Sequence, residues 1–285
     1  MRDQGLRDRV AEFYSTALWD FMLVWSSRHH YGIHYGFHDA DHRAHRDAVL
    51  NMNRVLAERS GVSAGMRILD AGCGIGGSAI WLAEEFGVYV VGVTLSARQA
   101  ATATQLAKMK GVNHLVEFHV RDFAETGLPT ASFDVVWTLE AVCYAESKLE
   151  FLREAWRLLR TGGSLAIADT FWRTERISME EKQEMDQWLA SWAIPGLETV
   201  SSFQNLLQQA GFKGAWYEDM TKYIVPSAKR YYLWGILAYP LGKALTWLGI
   251  RPKCEIADNI RLGAVQQYRT LRKGLWVYGM FSVNK

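Results

Sequence analysis

Between residues 66 and 170 five short apolar runs, "MRILDAG", "VYVVGVT", "VEFHVRD", "FDVVWTLE" and "SLAIADT", alternate with the amphipathic stretches "SAIWLAEEF", "SARQAATATQLAKMKG" and "KLEFLREAWRLLR". A run that is apolar throughout, rather than at every second position, is buried on both faces, and the intervening helices supply the cover. The pattern predicts an α/β fold with a doubly wound, mostly parallel sheet. Residues 6 to 60 read mostly as helix, interrupted around Gly32 and Gly36, where glycine favours a turn. Beyond residue 172 a polar helix around "SMEEKQEMDQWLASWA" leads to "LLQQAGFKGAWYEDMT", and the alternating "WVYGMFSVN" reads as a last strand that rejoins the sheet. The expected organisation is a helical cap over 1–60, an α/β core over 61–172, and a helical lid insertion with C-terminal strands over 173–285.

Composition narrows the partner. A net charge of +2 gives no reason to expect nucleic acid. Cysteines 73, 143 and 254 make neither a CxxC pair nor a disulfide framework, so a reducing compartment is expected. The first residues, "MRDQGLRDRVAEFY", lack the apolar run of a secretory signal, which makes the cytoplasm the expected location. The stretch 231–250 has the roughly 20-residue length of a membrane span, but Lys243, Pro240 and three glycines interrupt it. It reads as an interfacial helix in peripheral membrane contact or a lid over a greasy pocket, with a pair of core helices turning at Pro240 as the plain alternative. Tyr231, Tyr232, Trp234 and Tyr239 are expected as apolar walls. Together with 12 tryptophans they point to a lipophilic small molecule as substrate.

The first strand-to-helix turn, "ILDAGCGIGGSAIWLA", places Gly72, Gly74 and Gly77 in G-x-G-x-x-G spacing, which lets a ligand approach the backbone at a helix N-terminus. That spacing also suits a nicotinamide cofactor. A dehydrogenase, however, wants an acidic residue at the end of the second strand, and "GVTLSARQ" puts Thr94 there. A second cluster, "SSRHHYGIHYGFHDADH", holds five of the eight histidines. His30, His34, His38 and His42 recur every four residues, but Gly32 and Gly36 break the helix that would align them, so no metal site is expected and the later histidines are read as solvated.

These motifs carry a resemblance. "LDAGCGIGG" resembles motif I of class I S-adenosylmethionine-dependent methyltransferases. "VVGVTLSARQA" resembles the second-strand segment of a narrower group: the tocopherol, sterol C-24 and terpenoid-diphosphate C-methyltransferases and the cyclopropane fatty-acid synthases. "HHYGIHYG" is similar to a histidine-tyrosine-glycine stretch of the terpenoid-diphosphate enzymes, "TLEAVCYAE" to the sterol enzymes' I-E-A-T-C-H-A-P, and "LLRTGGSLAIAD" to the strand that follows the motifs. The resemblance spans residues 29 to 172 and implies S-adenosyl-L-methionine as cofactor on a Rossmann-like core. It implies that Gly72, Gly74 and Gly76, with Cys73 between them, line the methionine and ribose portions, with Asp70 shaping the loop. Thr94, Leu95 and Gln99 would hold the ribose without a carboxylate, Asp122 would accept from the adenine amino group, and Phe123 would lie against the ring. Tyr31, Gly32 and His30 would fold over the cofactor, with Tyr31 or Tyr35 reaching its carboxylate or the substrate. The plain alternative is that the glycines only form a tight turn and Thr94 or Asp122 only caps the next helix.

Methyl transfer from a sulfonium is an in-line displacement, so the protein has to hold the acceptor atom at the methyl carbon and exclude water. An alkene acceptor leaves a carbocation, which calls for aromatic faces and a base. Glu140, closing "FDVVWTLE" at the carboxyl edge of a parallel strand, is the candidate base and also counts among the cofactor-site residues. Tyr31, Tyr144 and His30 complete the candidate catalytic set. Tyr144 replaces the histidine of the sterol pattern, which argues against a sterol acceptor. The expected activity is C-methylation of an isoprenoid, terpenoid or prenylated acceptor. Alternatives are tocopherol-like ring methylation or N- or O-methylation of a small natural product. Outside the class stand a NAD-dependent dehydrogenase and an inactive cofactor-binding scaffold. Arg28, Arg43 and Arg46 are the candidate clamp should the acceptor carry a diphosphate.

Overall fold

A computed structural model describes residues 4–24, 29–174, 176–249 and 255–285. Five parallel strands, β1 (Arg67–Ala71), β2 (Tyr89–Thr94), β3 (Val116–Val120), β4 (Phe133–Leu139) and β5 (Leu159–Trp172), are joined by β6 (Trp216–Asp219) and β7 (Trp276–Asn284) in the order β3-β2-β1-β4-β5-β7-β6. β7 runs antiparallel to both β5 and β6, so the C-terminal strand inserts between two earlier ones. All five apolar runs read from the sequence are strands. β5 is longer than "SLAIADT" at both ends: it starts at Leu159, which pairs with Phe133 of β4, and continues to Trp172 to pair with β7.

The helices are α1 (Gln4–Val24), α2 (His45–Ser60), α3 (Gly77–Phe86), α4 (Ala97–Lys110), α5 (Lys148–Leu158), α6 (Met179–Ser191), α7 (Val200–Gln209), α8 (Thr221–Trp247) and α9 (Glu255–Arg272). Successive strand residues face opposite layers, which is why the strands are apolar without alternation. Leu69, Val91, Val136 and Leu165 pack with Phe151 of α5 and Phe203 of α7. Ile68, Val90, Val135 and Ala166 pack with Met52 of α2, Ile80 of α3, Leu106 of α4 and Met185 of α6. The order reverses between β1 and β4, and in open parallel sheets ligands bind outside the carboxyl ends of the strands at such a switch point.

Two expectations for the aromatic stretch need correction. The chain does not turn at Pro240: α8 is one 27-residue helix with Pro226 and Pro240 inside it. Pro240 removes one helical hydrogen bond, but it lies on the exposed side of a helix whose other side is pinned against α9. There, a Cβ on Gly235 would stand 2.7 Å from the Arg261 carbonyl. Nor do Tyr231, Tyr232, Trp234 and Tyr239 wall the cleft beside the glycine turn. Tyr231 is fully buried against His45 and Tyr35, and Tyr232 packs on Tyr268 at 4.9 Å. Among the described residues no helix is long and apolar enough to cross a membrane.

Candidate active site

The loops after β1, β2 and β4 open on one sheet edge. With α1 and residues 31–34 they enclose a cleft of about 1170 Å³, open mouth included. Its floor is the glycine turn. Gly72 and Gly74 adopt φ of 89° and 53°, and a Cβ on Gly72 would fall 2.3 Å from that of Ala141, so the β1 and β4 loops meet with no room for a side chain. Gly76 lies outside the cleft lining, packed against Phe118 and Ala103, and Gly77 takes the position facing the cleft. A Cβ there would sit 2.6 Å from the Tyr31 carbonyl oxygen, so the histidine-tyrosine-glycine stretch rests on the start of α3.

Asp70, at the end of β1, is buried, and its Oδ2 has no hydrogen-bond partner. Burial pushes its pKa up to about 7. Burial likewise raises the Cys73 thiol well above its usual range, which keeps it protonated and unreactive. At the end of β2 the Thr94 hydroxyl donates to Gln99 Oε1 (2.7 Å) and accepts from the Ser96 amide (3.2 Å). Thr94 therefore orients Gln99, and the Gln99 amide nitrogen is left near Gly74. Asp122 accepts the Ala124 amide at 2.7 Å and pairs through Oδ2 with Arg7 of α1, also at 2.7 Å. Phe123 lines the cleft beside it.

Glu140 stands across from the glycine turn in left-handed backbone at φ 54°. Four non-glycine residues among those described have positive φ, and two of them, Tyr31 and Glu140, line this cleft. Backbone strain of this kind persists only where the surroundings impose it. The Glu140 amide donates to the Ala168 carbonyl, while Oε1 accepts from the Tyr35 amide (2.7 Å) and the Tyr278 hydroxyl (2.9 Å). Burial outweighs these two bonds and raises the carboxyl pKa to about 8. The hydroxyl of Tyr35 accepts in turn from the Gln267 amide, which ties the loop to α9.

Tyr144 lines the same wall and meets the ring of Tyr14 edge-on at 5.4 Å. It sits in a single 3₁₀ turn, Val142–Tyr144, anchored from below. Asp169 Oδ2 accepts the Cys143 amide at 3.0 Å, and the buried Lys148 ammonium donates to the carbonyls of Cys143, Ala145 and Gly196 at 2.8–3.1 Å. Replacing Lys148 with alanine leaves three carbonyls without donors, and urea denaturation is expected to show a loss on the order of 2–4 kcal/mol. A loss under about 1 kcal/mol would mean that water replaces the ammonium.

The remaining histidine expectations fare differently. His30 does not face the cleft. Its Nδ1 accepts the Gly32 amide at 3.0 Å and its ring abuts His45, because the turn at Gly32 folds the side chain back into the protein. The later histidines are not simply solvated. His34 is buried on the cleft wall, His38 and His45 bond the Ser227 hydroxyl, and His42 pairs with Asp39 at 2.8 Å. Among the described residues no histidine, cysteine or carboxylate cluster has the geometry of a metal site. Arg28 lies outside the described residues; Arg43 bonds the Ala40 carbonyl and Arg46 bonds Asp47, and neither lines the cleft. The sequence reading placed α1 in the helical cap but missed its part in the cleft, which Leu6, Arg7, Val10 and Tyr14 close, and it missed Tyr278. No local signal marks either, since both reach the site from distant parts of the chain.

A glycine turn at the switch point, with an amide rather than a carboxylate after β2, marks a cofactor cleft of the doubly wound methyltransferase type. Residues 69–167 match the methyltransferase domain family. The chain is 27% identical over 266 residues to the chloroplastic tocopherol O-methyltransferase of Arabidopsis thaliana, with 87% of this chain and 72% of that protein aligned. It is 31% identical over 195 residues to the 27-O-demethylrifamycin SV methyltransferase of Amycolatopsis mediterranei, with 68% and 71% aligned. Among solved structures, the [4+2]-cyclase SpnF superposes with TM-score 0.80 at 23% identity over 98% of this chain and 96% of that one. Geranyl diphosphate C-methyltransferase from Streptomyces coelicolor gives 0.74 at 18% over 99% and 98%; these two are likenesses of fold. The chain belongs to the class I S-adenosylmethionine-dependent methyltransferases, and S-adenosylmethionine is its cofactor.

Proposed function

We propose that this methyltransferase acts on a lipophilic acceptor, first of all by C-methylation of an isoprenoid, terpenoid or prenylated molecule, with Glu140 taking the proton that leaves. The observation that carries the proposal is the Glu140 carboxyl: it lines the cleft, its Oε1 is fixed by Tyr35 and Tyr278, and its proton affinity is raised to about 8. Tyr14 and Tyr144 give the same cleft aromatic surface, which suits an apolar acceptor and a cationic centre forming on it. The named activities of relatives support a lipophilic acceptor, since they include tocopherol and cycloartenol methylation.

The residues present fit the cofactor. When bound it supplies an activated methyl group on a sulfonium. The unpartnered Asp70 Oδ2 is placed to accept from a donor such as an ammonium, Gln99 offers its amide to the ribose, and Asp122 with Phe123 forms the adenine end. Asp122→Ala is expected to weaken S-adenosylmethionine binding about tenfold, the loss of one hydrogen bond to a charged group. Arg7→Ala, which removes only the half-screened ion pair, should stay within about threefold. Calorimetric titration decides, and equal effects would place the adenine elsewhere.

O-methylation is the second reading. The same carboxyl would take a hydroxyl proton, and one aligned relative, tocopherol O-methyltransferase, carries an O-methyl activity in its name. Transfer of labelled methyl to a panel of prenyl diphosphates, prenylated quinols and phenolic natural products, followed by mass spectrometry, separates the two. A new carbon–carbon bond supports the first reading, a methyl ether supports the second, and label found only in small polar products removes both.

A further inference from the structure

The two oxygens of the Glu140 carboxyl are held differently. Oε1 accepts the Tyr35 amide at 2.7 Å and the Tyr278 hydroxyl at 2.9 Å, which fills both acceptor sites of that oxygen. Oε2 takes no hydrogen bond from a described residue, and Glu140 lines the cleft. The two donors arrive from opposite sides on backbone that is itself tied down. Next to Tyr35 in its loop, the Gly36 amide donates to the Ser227 hydroxyl at 3.0 Å and the Phe37 amide to the Ala48 carbonyl at 2.8 Å. Tyr278 is fully buried in β7, between β5 and β6. Its amide donates to the Thr221 hydroxyl at 2.9 Å, and its carbonyl accepts the Met220 amide at 2.8 Å. The sheet therefore brings the Tyr278 hydroxyl to the carboxyl from a fixed strand.

We propose that Glu140 takes the leaving proton on Oε2, and that Tyr278 is the positioning residue that reserves this oxygen by occupying Oε1. The inference rests on Glu140 being the base. When a carbon beside the newly methylated cationic centre is deprotonated, its C–H bond breaks and the electron pair closes a double bond. The proton goes to Oε2 and leaves a neutral carboxyl whose Oε1 keeps both donors. A proton on Oε1 would have to displace one of them. A hydrogen bond donated to a carboxylate also favours its ionised form, so Tyr278 offsets part of what burial does to this group. Without the hydroxyl, less of the carboxyl is ionised and able to act at a given pH.

Tyr278→Phe removes the hydroxyl and keeps the ring, which packs edge-on against Tyr35 at 5.6 Å. Two readouts are compared with wild type. One is the carbon-13 resonance of the Glu140 carboxyl in glutamate-labelled protein, identified by its loss in Glu140→Gln. The other is the pH profile of labelled-methyl transfer to the panel of prenyl diphosphates, prenylated quinols and phenolic natural products. Both midpoints are expected to move up by about one to two pH units, the effect of losing one hydrogen bond to a charged group. KM for S-adenosylmethionine should stay within about threefold. 3-Fluorotyrosine incorporated at position 278 is a more acidic donor and should move both midpoints down; it probes the same bond should the phenylalanine variant fail to fold. A resonance midpoint that neither substitution moves overturns the inference and leaves the role of Glu140 untouched. A resonance that moves while the rate profile stays in place shows that Tyr278 holds a carboxyl that is not the base, and overturns the inference together with the reading beneath it.

Discussion

Glu140→Gln is expected to lower turnover by about 10²–10⁴-fold, the usual contribution of a positioned base, while S-adenosylmethionine affinity changes by less than about threefold. Glutamine keeps the acceptor oxygen that Tyr35 and Tyr278 bond, so the wall around it has no reason to move. The pH dependence separates a proton acceptor from a merely shaping residue. With a carboxyl pKa near 8, wild-type turnover should climb as pH rises through that value, because only the ionised form can take a proton. In the variant that climb should vanish.

Stability should move the other way. Burial raises the folded-state pKa of Glu140 above its ordinary value of 4.5, so its protonated form favours folding at low pH and that contribution is lost as pH rises towards 8. The neutral glutamine escapes this loss. Its melting temperature relative to wild type should therefore be higher at pH 8 to 9 than at pH 5. Activity retained within a few-fold, or a pH profile unchanged by the substitution, would remove Glu140 from the chemistry and leave it as part of the wall.

Gly77→Ala has the next largest expected effect, and it acts through backbone. The new Cβ would lie 2.6 Å from the Tyr31 carbonyl oxygen and 2.9 Å from the Gly32 nitrogen, and neither neighbour is a flexible side chain that can swing aside. The loop over the cleft has to shift, and overpacking of this kind costs about 1–3 kcal/mol. S-adenosylmethionine affinity is expected to fall at least about tenfold, equivalent to about 1.4 kcal/mol. Gly196→Ala, where a Cβ meets nothing within 4 Å, is the matched control and should bind like wild type. Unaltered affinity in Gly77→Ala would show that residues 31–32 do not cover the cofactor.

The five strands, their helices and the glycine turn were legible because each is a local pattern: unbroken apolar runs for a sheet covered on both faces, and glycine wherever the backbone must turn left-handed or come close. Thr94 weighed against the dinucleotide reading for an equally local reason, the absence of a carboxylate at the end of β2. The histidine stretch misled. Its spacing suggested a helical face or a solvated surface, whereas the fold buries His34 and lets Ser227, 182 to 189 residues away, collect His38 and His45. The stretch 231–250 misled in a similar way, since the sequence supplies apolar length and a proline but not the packing of Gly235 against α9, beside which the helix continues through Pro240.

The sequence alone determined the class of fold, the cofactor turn and the candidate base, because periodicity and motif spacing encode what neighbours along the chain do. Only the tertiary structure decided how the Glu140 carboxyl is held. The proton affinity of Glu140 depends on burial and on hydrogen bonds from residues 105 and 138 positions away. It is a property of the enclosure around the carboxyl, and no stretch of sequence contains it.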